Sequence, residues 1–255
     1  MNKELRALEE TAARYTDRAI AGWEGLYREK RRRLFQAFRP FCSGTRALEL
    51  GVADGEMSRL IAAGFPQVTC VDGSTRHLAQ ARERIDEVAG ADAAYVHSLF
   101  EDYEPASGFD AIFMAHILEH LEDPVAMLRR AAGWLAPGGR LLLAVPNSNS
   151  LHRHVGVKLG MIERLDALNE QDRIVGHRRV YGPGLFREHV RQAGLALVHF
   201  GGLLVKPLSN RQMESWPPEL QEAFFAISDE FPELCSEIYI VAEPVAARSE
   251  SERHA

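Results

Sequence analysis

The chain predicts an α/β protein, a doubly wound and mostly parallel sheet of seven strands preceded by a helical N-terminal cap. Three observations carry that reading. First, the stretch from Arg46 to Ser74 (RALELGVADGEMSRLIAAGFPQVTCVDGS) reads as a buried strand over 47–50, a glycine turn, a helix, and a second strand over 68–71 that ends on an acid. Second, apolar runs of strand length alternate with amphipathic helical stretches as far as residue 147, as they do when crossover helices join parallel strands. Third, two more strand-like runs, over 195–205 and 236–242, bring the total to seven.

The glycine turn is the most informative part. Gly51 and Gly55 have no Cβ, so the backbone between them can turn sharply and lie against a ligand. Asp72 stands 21 positions after Gly51, where a carboxylate can accept bonds from both hydroxyls of a ribose. A dinucleotide fingerprint requires G-x-G-x-x-G, but Ala53 and Glu56 occupy its second and third glycine positions. A carboxylate there suits a pyrophosphate poorly. The spacing present is E-x-G-x-x-x-G, from Glu49 through Gly51 to Gly55.

Composition narrows the class. The 255 residues suffice for one sizeable core. A net charge of -6 leaves no electrostatic footprint for nucleic acid, and the basic run from Arg28 to Arg33 reads as a solvated helix face or as contacts to the carboxylate side of a cofactor before it reads as an RNA patch. Cys42, Cys70 and Cys235 form no metal-spaced pair and suit a reducing compartment. The charged first residues and the absence of a long apolar run predict a soluble, cytoplasmic protein without a membrane partner.

In chain order, residues 2–40 read as helical, with an interrupted apolar stripe of Ile20, Trp23, Leu26, Tyr27, Leu34, Phe35 and Phe38. Ser74 is placed to cap a helix over 75–88, and 95–97 reads as the third strand. The fourth strand, 109–115, runs into HILEHLEDP, where Asp123 and Pro124 start the next helix. The run APGG over 136–139 reads as a stop and turn before a buried strand over 140–145. Periodicity then weakens over 148–180, a helix follows at 185–192, and a distortion is expected at Gly201 and Gly202. The domain plan is thus a cap over 1–43, one catalytic domain over 44–244 with lid insertions near 148–181 and 206–235, and a disordered tail over 245–255.

The E-x-G-x-x-x-G turn closely resembles the first motif of class I S-adenosylmethionine-dependent methyltransferases. HILEHLEDP and the later WLAPGGRLLLAVPN resemble the ubiquinone-biosynthesis type within that class. The similarity covers residues 46–147 and continues more loosely through GHRRVY (176–181) and LLVKP (203–207). It implies a Rossmann-like sheet with an antiparallel last strand. The cofactor would be S-adenosylmethionine, with S-adenosylhomocysteine as product, and no metal. Glu49, Gly51, Val52, Ala53, Gly55, Asp72, Gly73, Ser74, Ala115 and His116 would bind it. Leu99, Phe100 and Glu101 would bracket the adenine, although many members carry an aspartate where Leu99 stands. Tyr15, Trp23 and Tyr27 would border the site from a helical lid.

The reaction then needs alignment and removal of a proton from the acceptor. His116, directly after the fourth strand, is the candidate base or substrate contact, with Glu119 and His120 as catalytic neighbours on the same turn. A His-x-x-Glu-His metal site is the rival reading of that run. Its glutamate is not where the H-E-x-x-H pattern has it, and the sequence shows no third ligand nearby. Tyr27, Asn147, His177, Arg178 and Tyr181 are the expected substrate contacts, within a polar cluster that includes His152, His154 and Arg179. Lys206 is read as facing either the pocket or water. The acceptor is expected to be a small metabolite methylated on oxygen or nitrogen. RNA or protein methylation and a non-catalytic cofactor-binding module are the alternatives, and oligomeric state, including a homodimer, stays open.

Overall fold

The computed structural model describes residues 4–6, 8–10, 12, 24–105, 108–213 and 215–245. Tyr15, Ile20 and Trp23 of the expected lid, and the tail beyond 245, lie outside the described residues.

The opening unit forms as the apolar pattern predicts. β1 (Arg46–Leu50) leads through the glycine turn to α2 (Glu56–Gly64), then to β2 (Gln67–Asp72), α3 (Thr75–Ile85) and β3 (Asp92–His97). The preceding helix is α1 (Glu24–Phe38). β4 (Phe109–Ala115), α4 (Pro124–Gly133) and β5 (Leu135–Pro146) complete the first half. α5 (Leu151–Lys158) and α6 (Glu170–Ile174) lie within the first insertion, and α7 (Pro183–Gln192) precedes β6 (Leu195–Leu203). The second insertion holds α8 (Asn210–Met213) and α9 (Pro218–Ala226) before β7 (Glu237–Pro244). The sheet order is β3-β2-β1-β4-β5-β7-β6, parallel except that β7 runs antiparallel to both of its neighbours.

Alternation along the strands divides the core into two layers. Leu48, Leu50, Ile112, Met114, Leu141 and Leu143 face α4 and α7. Ala47, Ala111, Phe113, Leu142 and Ala144 face α1, α2 and α3. Phe38 of α1 meets Phe113 and Tyr239 edge-on, with centroids at 6.1 and 5.5 Å, so the N-terminal helix is anchored in the core by its last turns.

Caps set the helix starts. The Ser74 hydroxyl accepts from the His77 amide, and Asp123 accepts from the Ala126 amide with Pro124 in the first turn. Two segments differ from expectation. The APGG run does not interrupt β5, because Phe109 pairs with Leu135 across a bulge and carries the ladder through the turn. The weakly periodic first insertion contains two short helices, the second closed by a reciprocal cap between Asn169 and Asp172.

Gly55 has a structural reason for lacking a side chain. Its φ is +78°, and a Cβ there would stand 2.6 Å from the Ala81 Cα, where α2 and α3 pack backbone to backbone. Gly90 has the same φ with open space around it. Gly55→Ala is therefore expected to cost about 2–4 kcal/mol from left-handed strain plus overpacking, and Gly90→Ala about 1–2 kcal/mol from strain alone. Urea unfolding of the two variants checks the difference.

Candidate active site

The carboxyl ends of β1, β2, β4 and β5 and the two insertions enclose a cavity of about 430 Å³, within the usual range for small-ligand sites. One wall is the glycine turn. The Gly51 amide donates to the Val71 carbonyl at 2.8 Å, which folds the turn back across β2. Asp72 knots it in place. Its Oδ2 accepts from the Val52 amide at 2.9 Å and its Oδ1 from the Ser74 amide at 2.8 Å. The acid thus orders the corner while keeping a face to the cavity. Glu9 joins the same corner, accepting from the Ser74 hydroxyl at 2.7 Å and the Thr75 hydroxyl at 2.6 Å.

Glu49 is buried in the same wall. Burial pushes its carboxyl up to about 8, helped by the negative charges of Asp72 and Asp54 and opposed by the Ser58 hydroxyl and Arg31. A buried acid beside two other acids is a ready partner for a cation, and the ammonium of an amino-acid moiety fits that requirement.

The opposite wall begins at His116. Its φ is +61°, an uncommon conformation for a residue with a side chain, and its amide is fixed to the Ala144 carbonyl at 2.8 Å. That turn sets the imidazole between two buried carboxylates, with Nδ1 3.4 Å from Glu119 and Nε2 3.2 Å from Glu237. Burial and the Arg31 charge oppose protonation, yet the two carboxylates outweigh them and raise the His116 pKa. Glu237 also receives Lys30, in close contact, and Arg31 at 3.8 Å. Burial works against its charge, but Lys30, His116 and Arg31 hold its carboxyl well below the usual range.

The lid meets this wall at His177. Its Nδ1 bonds Asp172 at 3.0 Å, and its Nε2 lies 3.9 Å from Glu119. Glu119, His120 and His177 each offer one ligand atom, all within 4.8 Å of one another. The sequence around His116 shows no third ligand; folding brings one in from the lid. Burial outweighs the Glu119 charge and lowers the His120 pKa, so that imidazole stays neutral, as a ligand must be. Both Glu119 oxygens are buried without a hydrogen bond, and Asp172 orients His177 as outer carboxylates orient metal-binding histidines. The set therefore has the chemistry to hold a divalent cation.

Of the residues singled out in the sequence, Tyr27, Glu49, Gly51, Val52, Ala53, Asp72, Gly73, Ser74, Phe100, Ala115, His116, His120, Asn147 and His177 line the cavity. Several others are corrected. Gly55 closes the turn, its amide donating to the Val52 carbonyl at 2.8 Å, but packs against α3 and is off the cavity wall. Glu101 is exposed and Leu99 is off the wall, so of the three adenine residues only Phe100 faces inward. Arg178 is exposed and donates to the His120 carbonyl at 3.1 Å, a tether of lid to wall. Tyr181 is fully buried, with its hydroxyl against His189 Nδ1 at 3.0 Å. Asn147 borders the cavity, but its amide donates to the Glu233 and Cys235 carbonyls and its oxygen accepts from the Asn149 amide. The sequence does not single out Glu237, nor its pairing with Lys30 and Arg31 of the basic run; the available signal was an acid leading the otherwise apolar run EIYIVA.

β7, inserted antiparallel between β5 and β6, sets this sheet apart from a dinucleotide-binding one, and with the acid-closed glycine turn between β1 and β2 it points to the methyltransferase class. A family model described as a methyltransferase domain matches residues 23–200, and the chain belongs to that family. It is an S-adenosylmethionine-dependent methyltransferase. The ubiquinone biosynthesis O-methyltransferase of Xanthomonas axonopodis pv. citri (strain 306) is 30% identical over 188 residues, 72% of this chain and 77% of the relative. Its counterpart in Aromatoleum aromaticum is 28% identical over 171 residues, 66% and 70% of the two chains. In structure, the N-methyltransferase NodS from Bradyrhizobium japonicum WM9, solved with S-adenosylhomocysteine, superposes with a TM-score of 0.62 at 15% identity, over 95% of this chain and 99% of that one. Magnesium protoporphyrin IX methyltransferase from Synechocystis, also with S-adenosylhomocysteine, gives a TM-score of 0.57 at 15% identity, over 86% and 84%. These likenesses show the fold.

Glu49 yields a direct test. At about pH 7 its carboxyl holds a proton, and a bound ammonium favours the charged form, so cofactor binding should expel that proton. Calorimetry in buffers of different ionisation enthalpy is expected to read a release approaching one proton for the native chain and none for Glu49→Gln.

Proposed function

We propose that this enzyme methylates an oxygen of a small metabolite in this cavity, with Asp72 binding the cofactor ribose, Glu49 its ammonium and His116 facing the acceptor. The observation that carries the reading is His116 itself, turned by a left-handed backbone into a cavity shared with the glycine corner. The bound cofactor supplies an activated methyl group on a sulfonium. The chain's own part is to align the acceptor oxygen with that methyl and take the hydroxyl proton. That role falls to the neutral form of the His116 imidazole; Glu119 and Glu237 raise its pKa and favour the protonated form, so turnover should climb with pH as the ring gives up its proton. Oxygen is favoured over nitrogen because the relatives matched in sequence are named as O-methyltransferases.

A small acceptor fits a cavity roofed by His152, Arg153, Asn169 and Val175 from the first insertion and Asn210 from the second. The net charge of -6 argues against nucleic acid. Among the described residues no helix is long and apolar enough to cross a membrane. We read the protein as acting in the cytoplasm, where thiols such as its three free cysteines stay reduced.

A second reading follows from the Glu119, His120 and His177 set, in which a divalent cation held there binds and acidifies the acceptor hydroxyl. Metal analysis of the purified protein and turnover after chelation distinguish the two. Undiminished turnover supports the metal-free reading; loss restored by a divalent cation supports the other.

Asp72→Ala should weaken S-adenosylmethionine binding at least tenfold by calorimetry. His116→Ala should lower kcat by about 10²–10⁴ with cofactor affinity little changed. Full activity of the His116 variant would remove its role as base.

A further inference from the structure

The far side of the cavity carries a cationic cluster that the methyl-transfer steps do not use. Lys206 follows β6 directly and is only 8% exposed, yet it lines the cavity. Its Nζ donates to the Asn210 side-chain oxygen at 2.6 Å, and among the described residues no carboxylate lies within ion-pair distance of it. The nearest acid is Glu237, whose charge is already shared by Lys30, Arg31 and His116. His152 stands beside this cluster with a buried Nδ1 that has no partner. Arg153, on the same helix, is occupied by the Leu165 carbonyl at 2.6 Å, the Ala167 carbonyl and Asp172.

A buried ammonium without a counter-ion is expensive unless something anionic joins it. The protonation states agree with that strain. Burial, reinforced by Lys30 and against the pull of Glu237, pushes the Lys206 amine down to about 7. Burial, then Lys206, Arg153 and Lys30, against the pull of Asp172, push His152 down to about 3. In both groups burial is the leading cause and the neighbouring cations add to it.

We place the cofactor's own carboxylate elsewhere, near the glycine corner. The glycine corner lies at the end of β1, and Lys206 follows β6, four strand positions away. At ~4.8 Å per strand that is roughly 19 Å along the sheet. The His116 wall stands between them, at the end of β4.

We propose that Lys206, with the Asn210 amide and His152, binds a carboxylate carried by the methyl acceptor, so that acidic small molecules are the substrate class of this site. The inference rests on the reading of the cavity as a small-molecule methyl-transfer site. It places the reacting hydroxyl at His116 and the carboxylate toward β6. One compact charge and a handful of donors match a carboxylate better than a dianionic phosphate, which would draw on an unengaged arginine fork.

The test is calorimetric titration of the protein saturated with S-adenosylhomocysteine, using 3-hydroxybenzoate and its neutral isostere 3-hydroxybenzamide. The carboxylate should bind at least tenfold more tightly than the amide. Lys206→Met should remove that preference while leaving affinity for the amide and for S-adenosylhomocysteine within about twofold. Asn210→Asp, which gives Lys206 an internal counter-ion and keeps the buried charge paired, should do the same if the methionine variant fails to fold. Equal affinities, no measurable carboxylate binding, or a preference that survives both substitutions would overturn the proposal. A Lys206→Met protein that loses S-adenosylhomocysteine instead would assign the lysine to the cofactor and overturn it as well. Failure of the native chain to bind S-adenosylhomocysteine would overturn the methyl-transfer reading, and the same two titrations on the unliganded protein would then decide the anion site alone.

Discussion

Glu237 is a buried carboxylate at the start of the last strand, and the active-site wall depends on the charges gathered around it. Lys30 and Arg31 reach it from α1, and His116 reaches it from the end of β4. One anion therefore pins the N-terminal helix, the antiparallel strand and the reactive turn to one another. Such a group stabilises only as a set. Removing one partner of a buried ion pair typically costs about 3–5 kcal/mol, because the other is left charged without water. The arrangement explains why β7 has to lie beside β5: that position brings Glu237 under His116, and an edge position would leave it in solvent.

A second carboxylate does the corresponding work on the cofactor side. Asp72 spends one lone pair from each oxygen on the backbone of the two loops it joins, Val52 on one side and Ser74 on the other. The glycine turn is thereby held in shape before any ligand arrives, so binding need not order it. Glu49 differs from both, since burial among acids keeps it neutral until a cation approaches. Glu237 and Glu49 are thus pushed in opposite directions, by cations around the first and by burial among acids around the second.

The glycine corner was legible as a structure because it is local: spacing along a strand, a turn and a helix places Gly51 and Asp72 with little help from the rest of the chain. The alternation of strands and helices was legible for the same reason. What the sequence hid are long-range pairings. Lys30 and Arg31 sit in a basic run that reads as a solvated face, and nothing nearby announces Glu237 as their partner. His177 lies 57 positions beyond His120, in a segment of weak periodicity, yet the two rings meet at 4.7 Å. Arg178 and Tyr181 have the right chemistry for substrate but point away, the first holding the His120 carbonyl and the second closing against His189. Residue type alone does not separate a group that binds a ligand from one that ties down the loop beside it.

The one cavity runs from the glycine corner at β1 and β2 to Lys206 beyond β6, with His116 between, and we propose the cofactor for the first end and the acceptor for the second. The most direct measurement is a crystal structure of the protein with S-adenosylhomocysteine bound. The account predicts both ribose hydroxyls on Asp72, the amino group within reach of Glu49, and the sulfur facing His116 across open space bounded by His177 and Lys206. A ligand whose sulfur points away from His116, or whose ribose leaves Asp72 free, would contradict it.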